Sequence, residues 1–355
     1  MALSLDAAGL SRPDLAEPLA RVAAYPRMRF MGSKYRVMPE LMRVFADLPP
    51  GRVLDAFSGS GVVAYGLKAM GRPVDANDFL AFTATVARAT IANNDARLER
   101  EDIDLIAGPP ADDRHFIRTT FDGIYFPADD LSFLDSAWSH IDGMLGPKRD
   151  IAIAALCLAA ARKQPRGVFT VTDFRYNDGR RSMRTPLRDL FREAAVAYNR
   201  VVFDNGQANT VTSRDVFDLD PDKYQLVYFD PPYAPPRDDN DYIKRYHFLE
   251  GLAVYWRGLE IMTGTKSRKI PKRRTPFAYR HTITPALRDL FDRYRNSTIV
   301  LSYSSNSMPD EDTILALLRD VKSDVHVYAV PHRYSFGTHS TALRREVHEY
   351  IFVAR

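Results

Sequence analysis

The stretch that most limits how this chain can fold lies near its start. Arg52-Val-Leu-Asp55 reads as a short buried strand, Phe57-Ser-Gly-Ser-Gly61 as a glycine turn, and Val62 to Met70 as a helix. Arg72 to Ala76 reads as a second strand, and Asn77 or Asp78 stands where a cap is wanted for a helix over Phe79 to Ala92. Strand, glycine turn, helix, strand, acid, helix is the opening half of a doubly wound, Rossmann-like α/β sheet.

The turn itself separates ligand classes. Glycines let backbone approach a ligand closely and present free amides to it. A dinucleotide fingerprint wants a third glycine where this chain has Ala64, and a phosphate loop needs Gly-Lys-Ser/Thr, which is absent. Asp55, just before the turn, would repel a pyrophosphate but can hold an ammonium group. Asp78, just past the second strand, is placed to accept hydrogen bonds from ribose hydroxyls, with Asp75 as its rival inside the strand.

The rest of the chain divides around this start. At 355 residues and 45% hydrophobic content it can bury a large core. Residues 1–20 lack clear periodicity and read as a flexible arm. Val37, Met38, Leu41, Met42 and Phe45 recur at helical spacing, so 21–92 forms the first half of the sheet domain. The alternation breaks down over 93–200, which reads as an inserted, mainly helical domain ending in a helix begun by Thr185-Pro186. Over 201–355 the sheet resumes with Gln225 to Phe229 and Ser297 to Ser302, and Val325 to Val330 and Val347 to Val353 suit an antiparallel edge pair. A basic loop occupies about 235–285.

Composition narrows the partners. One cysteine, Cys157 in an apolar run, excludes a disulfide framework and a cysteine-rich metal site and suits a reducing cytoplasm. No apolar run is long enough to span a membrane, and the first residues do not resemble an export signal. Ile261 to Arg288 holds no acid while Lys266, Arg268, Lys269, Lys272, Arg273 and Arg274 crowd together, and Arg162 to Arg188 is nearly as basic. One such run is usually a solvated face, but two in a chain of net charge +4 point to a polyanion.

Asp230-Pro-Pro-Tyr233 directly follows the strand Gln225 to Phe229 and is the most specific motif in the chain. By itself it is a proline-stiffened turn; at a strand end, in one chain with the glycine turn and Asp78, it reads as a site.

Together these motifs resemble the DNA adenine methylase family, the D-P-P-Y class that includes Dam. Arg29-Phe-Met-Gly-Ser-Lys34 is similar to its amino-terminal K-W-A-G-G-K motif, which implies that Phe30, Gly32 and Lys34 meet the cofactor, S-adenosylmethionine. Asp55-Ala-Phe-Ser-Gly-Ser-Gly61 resembles its P-F-x-G-x-G turn, which adds Phe57, Gly59 and Gly61. Asp215-Val-Phe217 resembles a short D-F motif near the cofactor's adenine, and Tyr303-Ser-Ser-Asn306 a late structural motif. Gln164 to Val171 is similar to a hairpin laid against DNA, which makes Arg166 a DNA-binding candidate beside Lys266, Lys269, Lys272 and Arg273. The resemblance implies double-stranded DNA as substrate, a bacterial, phage or plasmid origin, and a cognate restriction endonuclease as a further partner.

The chemistry gives each residue a part. An adenine amino nitrogen is a poor nucleophile because its lone pair is delocalised into the ring. Asp230 and the main-chain carbonyl of Pro231 would accept its two hydrogens and direct the lone pair, while Pro231 and Pro232 hold that geometry in advance. Tyr233 offers a ring for a base extruded from the duplex. The donor is already activated, so no metal is required. The alternatives are cytosine amino methylation, more often marked by Ser at position 230, protein glutamine methylation, marked by Asn, and a DNA-binding relative without catalysis.

Overall fold

Strands buried along their whole length must be covered on both faces, and the short central strands here are of that kind. In the computed structural model, residues 12–170, 179–233, 241–333 and 346–355 are described. Among them seven strands form one sheet: β1 (Val53–Asp55), β2 (Val74–Asn77), β3 (Thr210–Thr212), β4 (Leu226–Phe229), β5 (Thr298–Ser304), β6 (Val325–Arg333) and β7 (Glu346–Ala354). The spatial order is β3-β2-β1-β4-β5-β7-β6. The pairings are parallel except those of β7, which runs antiparallel to both β5 and β6.

Alternation along each strand sends side chains to two cores. Val53, Leu226, Tyr228, Val300, Ile351 and Val353 join one. Leu54, Val227, Phe229, Ile299, Leu301 and Phe352 join the other. The first face carries the helices of the 93–200 region, among them Gly146–Arg162, whose stretch Ile151 to Ala161 is wholly buried, and Leu187–Val201. These helices share one continuous core with the sheet. Cys157 lies in that core, burial raising its thiol well above the usual value. Helices Arg280–Arg293 and Glu311–Arg319 cover the second face.

Several elements differ from expectation. Residues 12–20 are not a loose arm: Pro13–Leu15 forms a 3-10 turn and Ala16–Ala24 a helix burying Pro18 and Val22. The buried positions Leu15, Pro18 and Val22 recur at helical spacing, a face obscured by the alanines and acids between them. Residues 1–11 lie outside the described residues. The helix expected over Phe79 to Ala92 is α-helical over Ala81–Ala87 and turns π-helical over Arg88–Ala92. Neither Asn77 nor Asp78 accepts from the Ala81 and Phe82 amides, Asp78 reaching only that of Leu80 ahead of the helix. Glu250 accepts from the N–H groups of Ala81 and Phe82, at 2.9 and 3.2 Å. The half-exposed strand β3 is an addition to the expected set. Of the two strands expected as an edge pair, β7 is interior and β6 alone lies at an edge. Finally, the basic loop contains a helix, Tyr242–Val254, with Tyr246, Phe248, Leu249 and Leu252 buried.

The strand order reverses between β1 and β4, where connections leave toward opposite faces and a crevice opens at the carboxyl ends. Asp55 stands opposite Tyr228 in the register, so the chain leaving β1 at Asp55 and the chain leaving β4 at Asp230 emerge side by side.

Candidate active site

The glycine turn is shaped around neighbours that leave no room for side chains. Gly59 (φ +47°) and Gly61 (φ +78°) are left-handed, and a Cβ on Gly59 would sit 2.9 Å from the Phe30 ring. Asp78 ties this turn to the end of β2: its Oδ2 accepts from the Gly59 amide at 2.8 Å and its Oδ1 from that of Leu80 at 2.9 Å. Asp75 is engaged elsewhere, by Arg52 at 2.6 Å and the Tyr224 hydroxyl at 3.2 Å, and does not line the cleft. Of the two acids, Asp78 is the one that faces it.

Asp55 is in an unusual state. Its Oδ2 accepts from the Ala64 amide at 3.0 Å, but its Oδ1 is buried without a hydrogen-bond partner. Burial first, and the nearby charge of Asp230 second, raise its carboxyl well above the usual range. A cation placed in the cleft would remove both penalties.

The 30–34 segment forms the facing wall. The Met31 amide donates to the Tyr246 hydroxyl at 2.8 Å, and the Tyr242 hydroxyl donates to the Met31 carbonyl at 3.2 Å, so helix Tyr242–Val254 holds the segment in place. Phe30 stacks on Tyr246 with centroids 4.9 Å apart. Lys34 is buried, its Nζ donating to the Gly32 carbonyl at 2.8 Å and to Asp230 Oδ1 at 2.6 Å. Glu349 of β7 lies 3.3 Å from the same Nζ. Burial alone would lower this ammonium's pKa, but Asp230 and Glu349 outweigh it and hold the value well above normal. Asp230 is raised to about 6, by burial first, with Lys34 opposing and Glu349 adding to the rise.

These groups line one cleft of about 620 Å³, its open mouth included. Phe30, Gly32, Lys34, Asp55, Phe57, Gly59, Asp78, Asp230 and Pro232 all contribute to its wall. Gly61 does not reach it; it starts helix Val62–Ala69 as a left-handed cap packed on Tyr25. Pro231 is buried beside the cleft, and Tyr233 is half-buried, meeting Tyr303 edge to face at 5.6 Å. Asp215 lines not this cleft but an adjoining hollow of about 360 Å³ walled by Phe57, Phe79 and Phe277. The two share Phe57, Phe79 and Thr275.

S-adenosylmethionine fits this set of residues. The orphaned Asp55 oxygen suits its ammonium, Asp78 its ribose, and the aromatic hollow beside Asp215 its adenine. Among the described residues no group of three or more His, Cys, Asp or Glu is arranged to hold a metal, and no helix is long and apolar enough to cross a membrane.

The basic candidates scatter. Lys266 is exposed and Lys269 half-buried, in a tight turn closed by the Met262 amide on the Lys269 carbonyl at 2.8 Å. Lys272 pairs with Asp241 at 3.4 Å. Arg273 donates to the Phe79 carbonyl at 2.8 Å and lies over the Phe79 ring, on the wall of the adjoining hollow. Arg166 belongs to a 3-10 turn, Pro165–Gly167, and the region expected as a hairpin runs from there beyond the described residues. Sequence reasoning missed Glu349, Tyr242, Tyr246 and Thr275. For Glu349 a signal existed: an acid directly adjoining the apolar run Tyr350 to Ala354.

A family model described as D12 class N6 adenine-specific DNA methyltransferase matches residues 30–119, the span holding the 30–34 segment, the glycine turn and Asp78. The type II methyltransferase M2.HphI of Haemophilus parahaemolyticus is 27% identical, over 87% of this chain and 92% of that protein. The modification methylase StsI of Streptococcus sanguinis and the type II methyltransferase M.FokI of Planomicrobium okeanokoites are each 23% identical over 92% of this chain, which spans about half their length.

Proposed function

We propose that this chain, which over residues 30–119 matches the family model of the D12 class N6 adenine-specific DNA methyltransferases, takes the methyl group of S-adenosylmethionine and places it on the exocyclic N6 of an adenine turned out of duplex DNA. One observation carries the reading: Asp55 and Asp230 leave adjacent parallel strands into one cleft, the first with a buried oxygen awaiting a cation and the second already balanced by Lys34.

When bound, the sulfonium supplies an activated methyl carbon. The chain's own residues do the rest. Asp55 receives the ammonium of the methionine part, Asp78 the ribose, and Phe30, Phe57 and Gly59 close around the ligand. Asp230, with Oδ1 held by Lys34, offers its other oxygen to one amine hydrogen, and the Pro231 carbonyl takes the second. Both acceptors draw the nitrogen lone pair out of conjugation and toward the methyl carbon. Tyr233, braced by Tyr303, stacks on the extruded ring, a contact worth about 1–3 kcal/mol.

Double-stranded DNA is then the macromolecular substrate. Lys272 and Arg273 carry partners within the chain, so phosphate contacts fall first to Lys266 and Lys269, with Arg166, Lys272 and Arg273 adding charge. The names of the relatives, type II methyltransferases and a modification methylase, support a modification role, and a bacterial cytoplasm and a cognate restriction endonuclease are part of the same proposal. Incubating the protein with DNA and labelled cofactor, then digesting to nucleosides, tests the reading. Label is expected in N6-methyladenosine; label in cytosine, or none over varied DNA, sinks it.

A further inference from the structure

Asp230 and Lys34 together would be a neutral pair, yet a second carboxylate stands against the same ammonium. Glu349, from the interior strand β7, is 4% exposed and its Oε1 lies 3.3 Å from Lys34 Nζ. That contact is an ion pair by distance, but Oε1 makes no directed hydrogen bond, whereas Lys34 donates to Asp230 at 2.6 Å and to Gly32 at 2.8 Å. The lysine's aim is therefore set by Asp230 and Gly32. Glu349 contributes charge.

We infer that Glu349 is an electrostatic positioning residue for methyl transfer, leaving the Asp230–Lys34–Glu349 cluster with net negative charge where the target amine acquires positive charge. The inference rests on the adenine methyltransferase reading of the cleft. As the nitrogen lone pair forms the N–C bond and the C–S bond breaks onto sulfur, positive charge passes from sulfur to the amine, which then loses a proton to solvent. A neutral Asp230–Lys34 pair would stabilise that nitrogen weakly. A second buried carboxylate, fixed before the reaction, stabilises it without reorganisation. Its cost is borne by the fold, in the burial of an acid whose Oε1 lacks a hydrogen bond. The other ionisable groups around Asp230 are Asp55 at the end of β1 and the Tyr228 hydroxyl on β4, the latter donating to Ser302 at 2.9 Å. Neither touches Lys34 in a way that duplicates Glu349.

The test is Glu349→Gln in the full chain, measured by single turnover with DNA and saturating S-adenosylmethionine across pH, with cofactor affinity by calorimetry. The rate plateau is expected to fall on the order of tenfold, equivalent to about 1.4 kcal/mol. Cofactor affinity should stay within about twofold of wild type, well under the roughly 1.4 kcal/mol of a tenfold change. The acidic limb should also move to lower pH, because Asp230 loses a repelling neighbour; a merely structural role would lower the plateau without moving that limb. Should the glutamine variant fold poorly, Glu349→Asp and Glu349→Asn repeat the comparison at equal size, the aspartate retaining the faster rate and the higher limb. An unchanged rate and limb, or equal losses in the charged and neutral variants, overturns the inference. A wild-type protein that puts no methyl on adenine would instead overturn the underlying reading.

Discussion

Two carboxylates emerge side by side from adjacent strands, and the fold treats them in opposite ways. Asp55 is left with a buried, unpartnered oxygen, while Asp230 is paired by a buried lysine. An acid without a partner is a waiting site for a cation, and one held by a lysine has an oxygen fixed in advance to serve an amine. Under the proposed function, the difference keeps the cofactor end of the cleft distinct from its target end.

The largest effect expected from disturbing this arrangement is at Asp230. Asp230→Ala should slow methyl transfer by on the order of 10²–10³-fold, as does loss of a preorganised polar group aimed at a reacting centre. Cofactor affinity, read by calorimetry, should barely change. Asp55→Asn should do the reverse, weakening cofactor binding about a hundredfold, about 2.7 kcal/mol, at the low end for truncating one partner of a buried charged pair. The same variant should stabilise the cofactor-free protein. Because the folded state raises the Asp55 carboxyl, the native chain holds that proton more tightly than the unfolded chain, and stability falls as pH climbs from the unfolded value of about 4 toward the folded one. Thermal melts of Asp55→Asn should lose that decline; a lower melting temperature would mean that Asp55 is already satisfied.

Smaller effects sharpen the picture. The wild-type single-turnover rate should fall as pH drops through about 6, where Asp230 gains a proton and ceases to be an acceptor for the amine. A flat profile from pH 5 to 7 would remove Asp230 from that role. Gly59→Ala forces a side chain into left-handed backbone and against Phe30, so it should cost about 1–2 kcal/mol and lower the melting temperature by a few degrees. Lys266→Ala and Lys269→Ala should each flatten the slope of log affinity for DNA against log salt by about 0.9, and slopes equal to wild type would take this turn out of the DNA interface.

What was readable in the sequence was local. Asp55, Gly59 and Asp78 sit within one strand-turn-helix-strand unit, and Asp230 follows its strand directly, so a linear pattern places them at sheet ends. What was not readable depends on distant partners. Glu250 supplies the cap of helix Ala81–Ala87 from another helix altogether, and Glu349 reaches Lys34 only because β7 inserts between β5 and β6. Helix Tyr242–Val254 was hidden because it is apolar on most sides rather than striped, and the basic residues after it masked its boundaries. Arg273 was singled out by charge alone, and nothing in the linear pattern marks its seat on the Phe79 ring. β3, three residues long and half exposed, carries no pattern to find.

The division of labour between the two acids is tested most directly by measuring Asp55→Asn and Asp230→Asn side by side for two quantities, the dissociation constant of S-adenosylmethionine and the single-turnover rate at saturating cofactor. The first variant should shift only the dissociation constant and the second only the rate. If either change moves both quantities by similar factors, the two carboxylates act as one group and the separation of a cofactor end from a target end is wrong.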